Sequence, residues 1–185
     1  MFSITYGPYT LSCTTGLLSE MYAEYRRRAD LAAEYDLDQS KETPHSDSPC
    51  FVGVSRSGLN DGWPFLTIAQ NYSPDCAGFH PGAIIVPETD LLMLGAGTRL
   101  LAYKLDPPYL LWEDSADMGF WGWERHGDTI VMAAELEMAA WNMQGRKLWS
   151  RFVEPPWTYR VVEGGVLLDI MGSYSSFPLI TGPDG

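Results

Sequence analysis

The sequence predicts a mainly β protein, an antiparallel meander of repeated four-stranded units with one N-terminal helix. Three observations lead to this prediction: apolar side chains alternate with a period of two over most of the chain, similar segments recur about 38 residues apart, and glycine and aromatic residues are abundant. The 185 residues include 18 Gly, 13 Pro, 7 Trp and 10 Tyr, and only 19% are charged. Such a composition suits a turn-rich sheet better than a bundle of helices.

The chain is long enough to bury one sizeable core, so a single domain over residues 1–185 is expected. Residues 1–49 would hold N-terminal strands, a helix and a loop, and residues 50–185 a region of β repeats. Residues 1–15 lack the basic start and apolar core of a secretory signal, and no stretch approaches the roughly 20 apolar residues of a membrane span. We therefore expect a cytoplasmic protein that does not insert into a membrane.

The N-terminal region begins with alternating side chains. In residues 2–13 the larger side chains recur at every second position, which predicts one or two short strands. After Gly16 the spacing changes to three or four residues, and a helix is predicted to run to about Tyr35. Its apolar face comprises Leu18, Met21, Tyr22, Tyr25, Ala29 and Ala32. Residues 36–49 are polar and contain prolines, so they are predicted to form an exposed loop.

From Cys50 onward the apolar period is two. The segments Phe51–Val54, Phe65–Ile68 and Ala83–Val86 are predicted strands, because each is apolar and they are divided by Gly, Pro, Asn and Asp. The second half of the chain is therefore expected to consist of short strands and tight turns.

Two longer segments of the second half share one form. "LLAYKLDPPYLLW" (100–112) and "MAAWNMQGRKLW" (138–149) each predict a strand, a short turn and a strand that ends on Leu-Trp. Residues 83–94 and 122–133 precede them with a strand, a polar turn and an apolar strand, and residues 159–171 begin a third copy. The sequence therefore predicts units of about 38 residues with four short antiparallel strands.

These units resemble the repeats of the pyrroloquinoline-quinone and WD families, in which a strand, a glycine turn and a terminal Leu-Trp recur once per propeller blade. The resemblance covers about residues 80–180. Even four blades would need nearly the whole chain, and the N-terminal helix does not fit such a count, so a closed propeller is not expected. An incomplete propeller, or a curved sheet or sandwich of eight to ten strands, is predicted instead. No quinone or other cofactor is expected, because a cofactor held on the axis of a ring needs a ring.

The chain is strongly acidic, with 24 acidic against 12 basic residues and a formal net charge of -12. Most of its surface would repel the phosphates of a nucleic acid, so nucleic acid is set aside as a ligand. A basic protein partner fits this charge better.

Residues that could bind a metal or perform catalysis are few. Cys13, Cys50 and Cys76 are odd in number and widely spaced, which predicts reduced thiols. The pairs His45/Cys50 and Cys76/His80 match no common zinc pattern, so no metal site is predicted. Phosphate-loop, nucleophile-elbow and His-Glu-x-x-His motifs are absent from the sequence, and we do not expect an enzyme.

Aromatic residues and carboxylates supply the candidate binding residues. Trp141 and Trp149 occupy repeated strand positions and are expected to fill the space between sheet layers. Trp157 follows two prolines in a connection and is expected to be less buried, while Trp121 and Trp123 are expected to share one face of a strand. The candidate partner-binding residues are Glu113, Asp114, Asp117, Trp121, Trp123 and Trp157.

In general character the chain resembles the immunity proteins of bacterial polymorphic toxin systems, being small, acidic, rich in aromatic residues and without a catalytic set. That resemblance implies a protein that binds a cognate toxin and neutralises it by occluding a basic active-site surface. The alternative is a carbohydrate-binding or carbohydrate-hydrolysing protein, in which Trp residues and the carboxylates of Glu113, Asp114 and Asp117 would share a cleft.

Overall fold

The computed structural model describes residues 2–16, 20–37, 48–58, 62–73 and 80–183. Within these ranges the protein contains 16 β-strands and one α-helix. The mainly β fold is thus confirmed, although the estimate of eight to ten strands is too low. By compactness the chain divides into two units. The first comprises Met1–Gly78, Ile85–Leu92 and Tyr103–Leu111, and the second Phe79–Ile84, Met93–Ala102 and Trp112–Gly185. The single domain over residues 1–185 stays a prediction.

The first unit contains a five-stranded sheet and the helix. Its elements are β1 (Phe2–Tyr6), β2 (Tyr9–Thr15), α1 (Tyr22–Arg28), β3 (Leu31–Tyr35), β4 (Ser48–Arg56) and β5 (Leu66–Tyr72). The strands lie in the order β1-β2-β4-β5-β3. Strand β3 is parallel to β5, and the other neighbours are antiparallel. The strands predicted in residues 2–13 and at Phe51–Val54 are therefore confirmed, and β5 begins one residue after the start predicted for its strand.

The prediction of a helix running to Tyr35 is wrong, because α1 ends at Arg28. After Ala29 the backbone is extended, and Leu31–Tyr35, including Ala32, forms β3. The backbone N–H of Leu31 donates to the carbonyl of Phe65, and the register then runs to Tyr35 opposite Gln70. Apolar residues with helical spacing thus form a strand instead, because pairing with β5 satisfies the hydrogen bonds of their backbone N–H and C=O groups. Leu18, placed on the helix face by the sequence, lies outside the described residues.

A four-stranded sheet follows along the chain. It contains β6 (Gly82–Val86), β7 (Leu91–Ala96), β8 (Arg99–Leu105) and β9 (Pro108–Ser115), in sequential order, with a 3₁₀ turn at Pro87–Thr89. This order matches the strand, turn, strand pattern that the sequence predicts for residues 83–94 and 100–112. Residues 36–49, predicted as an exposed loop, lie mostly outside the described residues, and Ser48 and Pro49 belong to β4.

The second unit contains two further antiparallel sheets. The first has β10 (Phe120–His126), β11 (Thr129–Ala134), β12 (Glu137–Asn142) and β13 (Lys147–Phe152), and the second has β14 (Trp157–Val162), β15 (Gly165–Ile170) and β16 (Ser173–Pro178). A shared core joins them, built from Val131, Met138, Ala140 and Trp149 of the first sheet and Trp157, Val166, Leu168 and Phe177 of the second. The repeated blade-like units are therefore confirmed, and the sheet of β14–β16 has three described strands.

The Leu-Trp pair that closes each four-stranded unit has the same role in both copies. The indole Nε1 of Trp112 in β9 donates to the carbonyl of Gly145, at 2.6 Å. The indole Nε1 of Trp149 in β13 donates to the carbonyl of Leu179, at 2.7 Å. Each tryptophan therefore bonds to the turn after the third strand of the next sheet, which explains why the repeat retains this residue. Trp141 and Trp149 are buried, as the sequence predicts.

No α-helix in the described ranges is long and apolar enough to span a membrane.

Candidate interaction surface

Four loops of the second unit lie together at one end of its sheets. They are residues 116–119 before β10, 135–136 between β11 and β12, 153–156 before β14, and 171–172 between β15 and β16. Backbone hydrogen bonds connect them: Glu135 N–H donates to Gly119, Leu136 N–H to Asp117, Val153 N–H to Leu136 and Met171 N–H to Pro156. We call these loops, together with Trp121 and Phe152, the loop-end surface.

Large apolar side chains are exposed along the loop-end surface. They are Met118, Trp121, Phe152, Pro155, Pro156 and Met171. Exposed apolar side chains are ordinary when single, but a group at one end of a sheet is typical of a surface that contacts another molecule. The loop-end surface is therefore the candidate binding surface of this unit.

Trp121 is exposed because the strand that carries it bulges. The register of β10 against β11 shifts between Phe120 and Gly122, so Trp121 is the extra residue. Bulges redirect side chains at the edges of functional surfaces. Trp121 remains 41% exposed, and its ring stacks on that of Trp157 with centroids 5.2 Å apart. One face of the indole is thus covered, and the ring is held in place before any partner arrives.

Trp157 is the buried residue on which Trp121 stacks. It is 5% exposed, against 8% for Trp149, so the expectation that Trp157 is the less buried residue is wrong. Trp157 is the first residue of β14, and its Nε1 donates to the carbonyl of Glu135 at 3.1 Å. The two prolines before it therefore lead into a strand. The side chain of Trp157 supports Trp121 but is itself too buried for a partner to contact.

Trp121 and Trp123 do not share a face, contrary to the sequence expectation. The bulge breaks the alternation between them. Trp123 packs on Phe120 and, edge to face, on Trp141, with centroids 5.4 Å apart in both pairs. Its Nε1 is buried and finds no hydrogen-bond partner among the described residues. Trp123 thus belongs to the packing inside its sheet, and Trp121 is the exposed member of the pair.

The three predicted carboxylates have different surroundings. Glu113 pairs with Arg99 at 2.8 Å, and Asp114 pairs with Lys147 at 2.7 Å. Asp117 is exposed and lies in the loop-end surface, where its backbone N–H donates to Glu137 Oε2 at 3.2 Å. The structure therefore brings Asp117 and Trp121 to the same end, while Glu113 and Asp114 are neutralised by their own cations.

Two further acidic residues of this surface were not predicted from the sequence. The backbone carbonyl of Glu135 accepts the hydrogen bond from Trp157, and Glu154 immediately precedes the two prolines. Among the described residues, Asp117, Glu135 and Glu154 have no ion pair with a basic side chain. Their place in the turns between strands carried no signal in the sequence, because turn carboxylates are common on any soluble protein.

A buried carboxylate lies behind these loops. Glu137 accepts the Asp117 N–H, and its Oε1 is 3.8 Å from Lys147 Nζ. Burial raises the pKa of Glu137, and the nearby Asp114 and Asp117 carboxylates act in the same direction. Lys147 and the backbone N–H oppose that shift. Glu137 thus connects loop 116–119 to the start of β12.

A second polar cluster joins the first strands of the two sheets. The Tyr159 hydroxyl donates to Glu124 Oε2 at 2.6 Å, and His126 Nε2 is 3.4 Å from the same oxygen. Burial and this hydrogen bond raise the pKa of Tyr159. The cluster bonds β10 to β14, the first strands of the two adjacent sheets. It was not predicted, because Glu124 and Tyr159 are far apart in the chain.

The cysteines and histidines that the sequence analysis weighed as metal ligands, and set aside, have the following places. Cys13 and Cys50 are free and buried, with Sγ atoms 3.9 Å apart on β2 and β4. His45 and Cys76 lie outside the described residues. Among those described, no group of three or more His, Cys, Asp or Glu side chains could hold a metal ion.

The fold is that of a β-repeat protein with blade-like four-stranded sheets. No protein family model and no curated protein matches the sequence. Structures similar to part of it include Sqt1 from Saccharomyces cerevisiae, at 11% identity with a TM-score of 0.46, and Hsv2 from Kluyveromyces lactis, at 8% identity with a TM-score of 0.31. The matches cover 72% and 53% of this chain, but only 41% of Sqt1 and 32% of Hsv2. The chain spans less than half the length of either protein.

Proposed function

We propose that this protein binds a basic protein partner through the loop-end surface and acts by covering a functional surface of that partner. The observation that carries the proposal is Trp121, a large aromatic side chain that is exposed, held by stacking on Trp157 and accompanied by other exposed apolar side chains in the connected loops. Pre-positioned aromatic residues are the side chains that contribute most to protein interfaces, since little conformational entropy is lost when they are buried.

The charge of the surface supports a basic partner. Asp117, Glu135 and Glu154 lie in the same loops as the apolar side chains and have no ion pair among the described residues, and the whole chain carries a net charge of -12. Complementary charge speeds encounter and orients the partner, while the buried aromatic contacts slow its release. Protein interfaces usually combine an apolar core with a polar rim, and here the polar residues are acidic.

The narrower form of this proposal is an immunity protein, whose partner is a toxin with a basic active-site surface. It is supported by the acidic charge and the exposed anchor, and occlusion requires no catalytic group on the inhibitor. A carbohydrate-hydrolysing function built on Glu113 and Asp114 is less favoured, because both carboxylates form ion pairs with basic side chains.

The test is a comparison of partner capture by three forms of the whole protein: the parent, Trp121→Ala and Ile180→Ala. Ile180 is an exposed apolar residue in the turn after β16, outside the loop-end surface, and serves as the matched control. We expect the parent and Ile180→Ala to retain one stoichiometric basic protein, and Trp121→Ala to release it about tenfold faster or more. Equal retention by all three forms would exclude this surface.

The immunity role needs a second measurement with the captured partner. Expression of that partner alone should arrest bacterial growth, and co-expression of the parent should restore it, whereas Trp121→Ala should restore it less. If the partner binds through Trp121 but does not impair growth, the proposed binding function stands and the proposed immunity role is excluded.

A further inference from the structure

The two sheets of the second unit can be compared position by position, because β11 and β15 begin 36 residues apart and so do β12 and β16. In the first sheet Val131 lies opposite Ala140, and both belong to the core shared with the second sheet. The corresponding pair in the second sheet is Leu167 opposite Ser176. Both of these are exposed. The face that the next sheet covers in β10–β13 is therefore open in β14–β16.

The composition of this open face differs from that of its covered counterpart. Where the first sheet has Ala133 opposite Met138, the second has Asp169 opposite Tyr174. Arg160 lies opposite Leu167 on the neighbouring strand. A face that packs against another sheet is apolar, as the corresponding face of β10–β13 is, whereas this face carries charged and hydroxyl side chains. The face of β14–β16 is therefore suited to water or to a polar ligand.

A groove of about 410 Å³ crosses this face. Its volume lies within the range of small-ligand sites, roughly 300–1,000 Å³. The lining includes Thr158, Arg160, Leu167, Asp169, Tyr174 and Ser176. The groove has a rigid floor, because β15 is paired on both sides and its opposite face, with Val166 and Leu168, is fully buried in the core.

The side chains of the groove combine an aromatic ring with hydrogen-bonding groups of both kinds. Tyr174 is 75% exposed, so its ring is accessible to a ligand. Arg160 supplies donors and has no ion pair among the described residues, while Thr158 and Ser176 supply hydroxyls. Asp169 accepts the Gly172 N–H with one oxygen, at 2.8 Å, and keeps the other for a ligand.

The charges of the groove and of the chain narrow the class of ligand. Arg160 and Asp169 balance each other, so neither sign of charge is favoured within the groove. An anionic ligand would also be repelled by the net charge of -12. An apolar ligand would leave the charged groups and hydroxyls without partners. A neutral ligand with many hydroxyl groups and an apolar ring face satisfies the ring, the donors and the acceptors together.

We propose that the outer face of β14–β16 is a carbohydrate-binding site that takes a neutral oligosaccharide, with one sugar ring on Tyr174 and its hydroxyls bonded to Arg160 and Asp169. This site adjoins the loop-end surface, because Asp169 accepts the Gly172 N–H, but its lining residues lie outside that surface. The proposal does not depend on the function proposed for the loop-end surface. Because the groove is open, its affinity is expected to be in the millimolar to micromolar range.

The experiment titrates the whole protein with maltotriose, cellotriose, xylotriose, mannotriose and chitotriose, followed by calorimetry and saturation-transfer NMR. At least one trisaccharide should bind. Tyr174→Ala should weaken that binding about tenfold or more, while Tyr174→Phe, which keeps the ring, should change it by less than about threefold. Ile180→Ala is the control for loss of an exposed apolar side chain outside the groove. Because Tyr174 is exposed, these substitutions should leave the fold intact, and equal urea midpoints verify this.

Two further arms identify the source of the sugar and separate this site from the protein interface. Co-sedimentation with insoluble cellulose and chitin distinguishes a polysaccharide ligand from a free oligosaccharide. Either result is consistent with a carbohydrate-binding site. Trp121→Ala should bind the trisaccharide as the parent does. Absence of binding by all five sugars, or binding that Tyr174→Ala leaves unchanged, overturns the proposal. Loss of a captured protein partner in Tyr174→Ala without sugar binding also overturns it, and assigns the groove to a protein interface.

Discussion

At the scale of single residues, tryptophans of this chain that are similar in sequence context have different tasks. Trp121 and Trp157 are 36 residues apart and lie near the start of corresponding strands, yet Trp121 is exposed and Trp157 is buried. The difference arises from the bulge at Trp121, which no pattern of apolar residues announces. Composition and periodicity therefore identify which aromatic residues matter, while the bulge decides which of them a partner can reach.

Replacement by alanine should distinguish the structural role of Trp157 from the exposed position of Trp121. Trp157→Ala should lower the free energy of unfolding by about 3–5 kcal/mol, because it leaves a cavity in the shared core and removes the hydrogen bond to the Glu135 carbonyl. Trp121→Ala should cost no more than about 1.5 kcal/mol, the contribution of a stacked aromatic pair. Urea unfolding of both variants measures this, and losses of equal size would contradict the assignment.

The buried carboxylate of Glu137 should make stability depend on pH. Its pKa is raised above the ordinary value of 4.5. As pH rises above that value, the unfolded chain releases the proton first, so stability decreases until the folded state has released it too. Glu137→Gln cannot ionise, so the stability of the variant relative to the parent should increase between pH 4.5 and 7. Urea midpoints at several pH values test this, with Glu135→Gln as the control at a less buried position. A difference that does not vary with pH would contradict the expectation.

At the scale of elements, the sequence predicts repeated strands better than it predicts the N-terminal region. The strand, turn, strand units of residues 100–112 and 138–149 are found as expected, because alternation and the turn residues agree there. In Leu31–Tyr35 local spacing favours a helix, but a parallel partner 35 residues away, β5, decides the structure. The candidate site shows the same limit: Asp117 and Trp121 were predicted, while Glu135 and Glu154 join them only through backbone bonds between loops.

The turn after β16 provides a test of how the repeats are joined. Gly182 has a φ of +76°, and a Cβ there would lie 2.4 Å from Cγ of Trp149. Gly172 has a φ of +83° but open space around it. Gly172→Ala should therefore lower the free energy of unfolding by about 1–2 kcal/mol, the strain of a positive φ in a residue with a Cβ. Gly182→Ala should lower it by about 1–3 kcal/mol more, because its Cβ displaces the indole of Trp149. Denaturation of the pair measures this, and equal losses would mean that Trp149 moves aside freely.

At the scale of the whole molecule, the net charge of -12 could be calculated from the sequence, but its distribution could not. Part of the acidic charge is neutralised locally, as at Glu24, which pairs with Arg27 and Arg28, and at Glu113 and Asp114. The charge that remains for long-range attraction lies on carboxylates that form no ion pair with a basic side chain among the described residues. In the second unit these occur at both ends of the sheets, so total charge and local charge can be varied independently.

Two double substitutions of equal charge distinguish local from general attraction of a basic partner. Asp117→Lys with Glu154→Lys changes the loop-end surface, and Asp128→Lys with Glu163→Lys makes the same change in the turns at the opposite end. Both pairs are exposed, so each substitution should alter stability by no more than about 0.5 kcal/mol. The first pair should slow association with the captured partner more than the second, and the difference should shrink as salt shortens the screening length to about 8 Å near physiological ionic strength. Stopped-flow association rates at low and physiological salt measure both effects. Equal slowing by the two pairs would mean that net charge alone attracts the partner, and unchanged rates for both would place its binding surface outside the second unit's loops.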